Sequence, residues 1–256
     1  MDLIEPDSEF ESAGELHTVL CVATSLIING ASAEQFLQWA RDALPYLFPS
    51  AFEGIDPARH EQAAYWMGAA LWNAAPIPAN HFNRAPLPKP QRNLPCPCGS
   101  TRKYKHCCAS QSTPEPFPED IYWQLIPEVC SKTHINDMHA TGELPVQGIA
   151  TMAYYFFQQE DDMQVIKMLE PLFAGAATSI GRHHEALLDL LCDTYNRYYK
   201  TDKKKRDLLQ RMCQHPNKVI RSAAWQRTAS WQQDLGNFEA AHDALKEAMR
   251  ADPDNP

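Results

Sequence analysis

Apolar residues recur at helical spacing along most of this chain. Leu16, Val19, Leu20, Ala23 and Ile27 mark one face of a first helix. A second follows Ser32-Ala33-Glu34-Gln35, where the Ser32 and Gln35 side chains predict a capping box over free backbone N–H groups. Its apolar face is Phe36, Leu37, Ala40, Leu44 and Leu47. Asp56-Pro57 predicts a third start, an N-cap followed by proline in the first turn. Ala63, Met67, Ala70, Leu71 and Ala74 are its stripe. The pattern then stops. Residues 76–95 hold six prolines, at 76, 78, 86, 88, 90 and 95. That density forbids helix interiors and favours an extended, semi-rigid arm. Helical periodicity resumes over 119–133, 146–159, 161–174, 180–200, 203–214, 217–235 and 238–251.

The predicted architecture is therefore all-α. It comprises a helical N-terminal unit (1–75), a proline-rich linker (76–95), a cysteine module (96–111), a second linker (112–118) and a helical-repeat region (119–256). The last two helices resemble a tetratricopeptide repeat over 222–255, through Trp225, Gly236, Phe238, Ala241, Leu245, Ala248 and Pro253. Thr228, Ala229 and Gln232 depart from the Leu, Gly and Tyr usual in that family. The small Ala241 and Ala248 let two helices approach, with Trp225 and Leu245 expected in the groove between them. The resemblance implies a TPR-like α-solenoid with a concave binding groove.

Charge changes the picture in two places. The net charge is −9, yet residues 62–114 carry six bases and no acid, and residues 197–227 carry ten bases and two acids. Two basic islands in an acidic chain allow local binding of anionic partners. The N-terminus is acidic, the reverse of a secretory n-region. The longest apolar run, Val19 to Ile28, is too short to span a bilayer. These features point to a cytoplasmic, reducing compartment. There, eight cysteines argue for metal or buried thiols before disulfides.

The richest chemistry lies in Cys96-Pro97-Cys98-Gly99-Ser100-Thr101-Arg102-Lys103-Tyr104-Lys105-His106-Cys107-Cys108. Four thiols in thirteen positions suit a closed tetrahedral zinc site with no ligand position left open for catalysis. A four-sulfur site is also chemically open to iron. With flanking Arg92, Asn93, Leu94 and Pro95, the stretch resembles the SEC-C motif, the zinc-binding tail of the SecA translocase motor that also occurs in many small bacterial proteins. The resemblance implies Cys96, Cys98, Cys107 and Cys108 as ligands, and Thr101 stands where glycine is common. Gly99 is expected to adopt a backbone angle that other residues avoid. A fragment with almost no apolar core is expected to fold on the metal.

The remaining singletons suggest less. Cys21, Cys130, Cys192 and Cys213 read as buried structural thiols on helix faces. Cys130, His134 and His139 offer an incomplete second metal set. No nucleophile motif, phosphate loop or convincing carboxylate pair occurs, so a non-enzymatic adaptor is expected. Arg92, Arg102, Lys103, Tyr104 and Lys105 would face a protein partner. By resemblance, that partner is an acidic chaperone of the SecB kind or the ribosome. The alternative is a nucleic-acid-associated regulator using both basic islands, including Lys203, Lys204, Lys205 and Arg206.

Overall fold

The computed structural model describes residues 8–110, 117–118, 120–174, 180–198 and 202–254. Most of the predicted linker 112–118, the acidic extreme N-terminus and Lys200 lie outside them. Among the described residues the fold is all-helical, with eleven α-helices and only two isolated antiparallel bridges. None of these helices is long and apolar enough to cross a membrane. The chain forms two compact units, 1–131 and 132–256.

The first unit contains α1 (Ser8–Ile28), α2 (Ala33–Leu47), α3 (His60–Ala74) and α4 (Asp120–Val129). The local signals act as expected. Ser32 Oγ accepts from the Gln35 backbone N–H at 3.2 Å, and Gln35 Oε1 accepts from Ser32 N–H at 2.9 Å. Asp56 caps a 3-10 turn, Pro57–Arg59, that runs directly into α3. Val19, Ala23 and Ile27 of α1 share a core with Phe36, Ala40 and Leu44 of α2 and Ala64, Leu71 and Trp72 of α3. Gly68 is what lets α2 and α3 cross so closely. A Cβ there would sit 2.5 Å from the Ala40 Cβ.

Two features depart from the sequence reading. The proline-rich segment is not a spacer. Ile77 and Phe82 are buried, and Ala85 and Leu87 pack on the core. Trp72 Nε1 donates to the Ala85 carbonyl at 3.1 Å, and the Leu87 N–H donates to Asn73 Oδ1 at 2.8 Å. Prolines exclude helix here, but they do not prevent docking, because the apolar residues between them still gain from leaving water. Second, α4 packs with the N-terminal helices, so the boundary between units falls at 131/132 rather than before α4. Tyr122 is fully buried, its hydroxyl donates to the Leu71 carbonyl at 2.6 Å, and Leu125 joins the same core.

The second unit holds α5 (Lys132–Ala140), α6 (Val146–Gln158), α7 (Asp162–Ala174), α8 (Glu185–Tyr198), α9 (Lys203–Met212), α10 (Lys218–Asp234) and α11 (Phe238–Ala251). Helix α5 carries little apolar periodicity, because only Ile135 and Met138 of its nine residues are buried hydrophobics. Helices α10 and α11 form a hairpin turning at Gly236, φ +78°, a geometry compatible with a TPR-like repeat. Its interface is lined by alanines. Ala241, Ala244 and Ala248 face α10, and Ser222 Oγ donates to the Ala248 carbonyl at 3.1 Å. Small residues line this face of α11, and Leu245 is 48% exposed rather than in the groove.

Candidate metal centre

The cysteine module is built by short backbone clamps. Pro95 bridges to Lys103, Cys96 N–H donates to the Arg102 carbonyl at 2.7 Å, and Tyr104 N–H donates to the Leu94 carbonyl at 2.9 Å. A 3-10 turn, Tyr104–His106, then delivers Cys107 and Cys108 opposite the Cys96–Cys98 loop. The loop turns at Gly99, φ +87°, as expected. Thr101 also sits at positive φ, +57°. A β-branched residue is strained there.

All four cysteines are buried, and their Sγ atoms lie within 4.8 Å of one another. Cys98 and Cys107 are 3.6 Å apart, and Cys107 and Cys108 are 3.7 Å apart. These gaps are far longer than a disulfide of about 2.05 Å, and they suit four donors converging on one ion. Several donors point at the sulfurs. Ser100 Oγ lies 2.9 Å from Cys107 Sγ, and an Arg102 guanidinium N–H donates to the same sulfur at 3.4 Å. Helix α3 supplies two more donors to Cys108, Gln62 Nε2 at 3.2 Å and Trp66 Nε1 at 3.1 Å.

Without a cation, Cys98, Cys107 and Cys108 do not ionise together. Burial pushes the Cys107 thiol up, but hydrogen bonds from Ser100, Cys98 and Cys108 outweigh it and bring it down to about 7. Burial lifts Cys108 to about 12 despite Gln62 and Trp66, and raises Cys98 as well. A cation held by all four would compensate the accumulated negative charge and convert each to thiolate.

The module does not stand free on arms. Tyr65 of α3 shares its apolar cluster, with Leu37 and Trp66 packed around it. Arg41 donates to the Pro97 carbonyl and lies over the Tyr65 ring at 5.3 Å. The Glu61 carboxylate rests against Gly99, where a Cβ would come within 2.3 Å of Oε1. None of Arg41, Glu61, Gln62 or Trp66 was legible as a site residue, because nothing local ties α2 and α3 to cysteines more than thirty residues onward.

Residues 92–110 match the family model described as the SEC-C motif. This chain carries a SEC-C motif. The chain is 54% identical to the protein translocase subunit SecA of Halothermothrix orenii over 41 residues, 15% of this chain and 5% of that protein. The uncharacterized protein YecA of Escherichia coli is 39% identical over 66 residues, 25% of this chain and 27% of the relative. The matched regions thus cover about a quarter or less of the relatives' lengths. No solved structure matches the chain.

The proposed partner residues of the SEC-C module separate into two groups. Arg92, Arg102 and Lys103 are exposed and Lys105 is half-buried. Tyr104 is only 7% exposed and packs inward on the thiols. It is a core residue of the module, not a contact residue. The second basic island is partly paired internally. Arg197 bonds Asp162, Lys204 bonds Glu170 at 2.7 Å, Lys218 bonds Asp252 at 2.7 Å, and Arg227 bonds Asp189 and Asp193. Lys205 is buried, with its ammonium 5.1 Å from the Trp231 ring centre. Of the single cysteines, Cys192 and Cys213 are buried as expected, but Cys21 and Cys130 are only partly so. Cys130 belongs to the first unit, and His134 and His139 to the second.

Proposed function

We propose that this protein is a non-enzymatic adaptor whose SEC-C module is held together by one zinc ion and offers a basic rim to an acidic partner. The observation that carries the reading is the convergence of four buried sulfurs. Zinc–sulfur bonds of about 2.3 Å imply tetrahedral edges of about 3.8 Å, close to the 3.6 and 3.7 Å separations present. Cys96, Cys98, Cys107 and Cys108 would hold the ion. Its role is structural, fixing a loop whose apolar contacts alone are few. A quartet of sulfurs is also chemically open to iron, and elemental analysis of the purified chain separates the two metals.

Arg92, Arg102 and Lys103 are exposed beside this centre. They support contact with an acidic surface, such as a chaperone or the ribosome, in keeping with the stretch shared with a protein translocase subunit. The TPR-like hairpin supports a second protein contact. Internal pairing of the 197–227 bases leaves the nucleic-acid alternative with less charge to use. The test is charge reversal at Arg92 and Lys103, followed by mass spectrometry of co-purifying proteins at low and raised salt. Recovery of the same partners at unchanged levels would remove the basic-rim reading. A chain purified without stoichiometric metal would remove the zinc reading.

A further inference from the structure

We propose that His17, Cys21 and Glu128 form a second metal site, for a divalent borderline cation such as zinc, on the surface of the first unit. His17 and Cys21 stand one turn apart on α1, the i, i+4 spacing that puts two side chains on the same face. Glu128 reaches them from α4, 111 residues along the chain. The His17 Nε2 and Glu128 Oε2 atoms are 3.1 Å apart, and Cys21 Sγ is 3.8 Å from both His17 ring nitrogens, Nδ1 and Nε2. All three ligand atoms lie within 4.8 Å of one another. A tetrahedral zinc with bonds of about 2.0–2.3 Å sets its ligand atoms about 3.3–3.7 Å apart, so small side-chain rotations complete the cradle.

The donor set is selective. Imidazole nitrogen, thiolate sulfur and carboxylate oxygen together suit zinc, cobalt or nickel, and disfavour magnesium or calcium. A neutral imidazole, a thiolate and a carboxylate sum to −2, which a divalent ion cancels. Three protein ligands leave one position for water, unlike the closed cysteine quartet. The side chains of His17 and Glu128 are 58% and 36% exposed, so solvent reaches that position. A hydrogen bond explains the His17–Glu128 pair by itself. The thiol at the third corner is what makes the group a chelating set. A bound ion would link α1 to α4, which bound the first unit in sequence.

The experiment compares zinc content of the full chain and its His17→Ala and Glu128→Gln variants after equilibrium dialysis against micromolar free Zn2+. Both replaced residues are largely at the surface, and far-ultraviolet circular dichroism checks the fold. The expected result is one zinc fewer per chain in each variant than in the parent. That difference is independent of whether the cysteine quartet is filled. Equal zinc content in parent and variants overturns the proposal. A second readout follows Cys21 itself by peptide mass spectrometry during alkylation. Zinc should slow its modification about tenfold or more in the parent and leave it unchanged in Glu128→Gln. Alkylation of Cys21 that is indifferent to zinc in the parent overturns the proposal as well.

Discussion

Replacing Gly99 by alanine separates backbone strain from steric collision at the metal loop. Gly99 sits at φ +87°, and an added Cβ would meet Glu61 Oε1 at 2.3 Å and Glu61 Cδ at 2.7 Å. The two costs differ in kind. Glu61 is exposed, and its carboxylate is the far end of a flexible side chain, so it swings away cheaply. The left-handed backbone cannot relax without moving Cys98 and Ser100. It costs an L-residue about 1–2 kcal/mol. If the SEC-C module folds on its metal, that cost appears as zinc affinity, a loss of about 5–30-fold. Competition with a chromophoric chelator measures it on the full chain. Glu61→Ala alone should change little, and the double variant should remain as weak as Gly99→Ala. Full recovery in the double variant would show that collision, not strain, dominates. Unchanged affinity in Gly99→Ala would show that the loop does not need this backbone angle.

Thr101→Gly should act in the opposite direction. It relieves the positive φ of +57° at some cost in unfolded-chain entropy, for a net gain of about 0.5–1 kcal/mol in metal binding by the same assay. Trp66→Phe removes the indole N–H that points at Cys108 Sγ from 3.1 Å while keeping an apolar ring. Zinc affinity should fall about 10–100-fold, and an unchanged value would show that this donor is dispensable. In the second unit, burial holds His139 and His184 below the ordinary histidine value of 6.5. The folded state then binds fewer protons than the unfolded chain in mild acid. Stability is fully present above pH 6.5 and declines as pH drops through that value and below. Melting temperatures at pH 7.5 and 5.5 should show this slope, and His184→Gln should flatten it.

What the amino-acid order determined alone is what short-range physics determines. The apolar stripe of α1 and the Ser32–Gln35 capping box are read over a few residues, and each forms as written. The cysteine spacing closes four thiols on one point because only a 3-10 turn and one bridge separate the two halves. Where the local signal is weak, as in α5 with two buried hydrophobics, the element goes unseen. The tertiary structure decided everything that depends on pairs distant along the chain. It turned a proline-rich spacer into a docked strap through Ile77 and Phe82, and set α4 against α1. It placed Gln62 and Trp66 on the sulfur of Cys108, turned Tyr104 inward, and left Leu245 in solvent. Prolines, tyrosines and leucines have the same intrinsic chemistry in either setting. Which surface each one meets is decided by how helices cross, and a crossing such as Gly68 against Ala40 leaves no periodic trace to read.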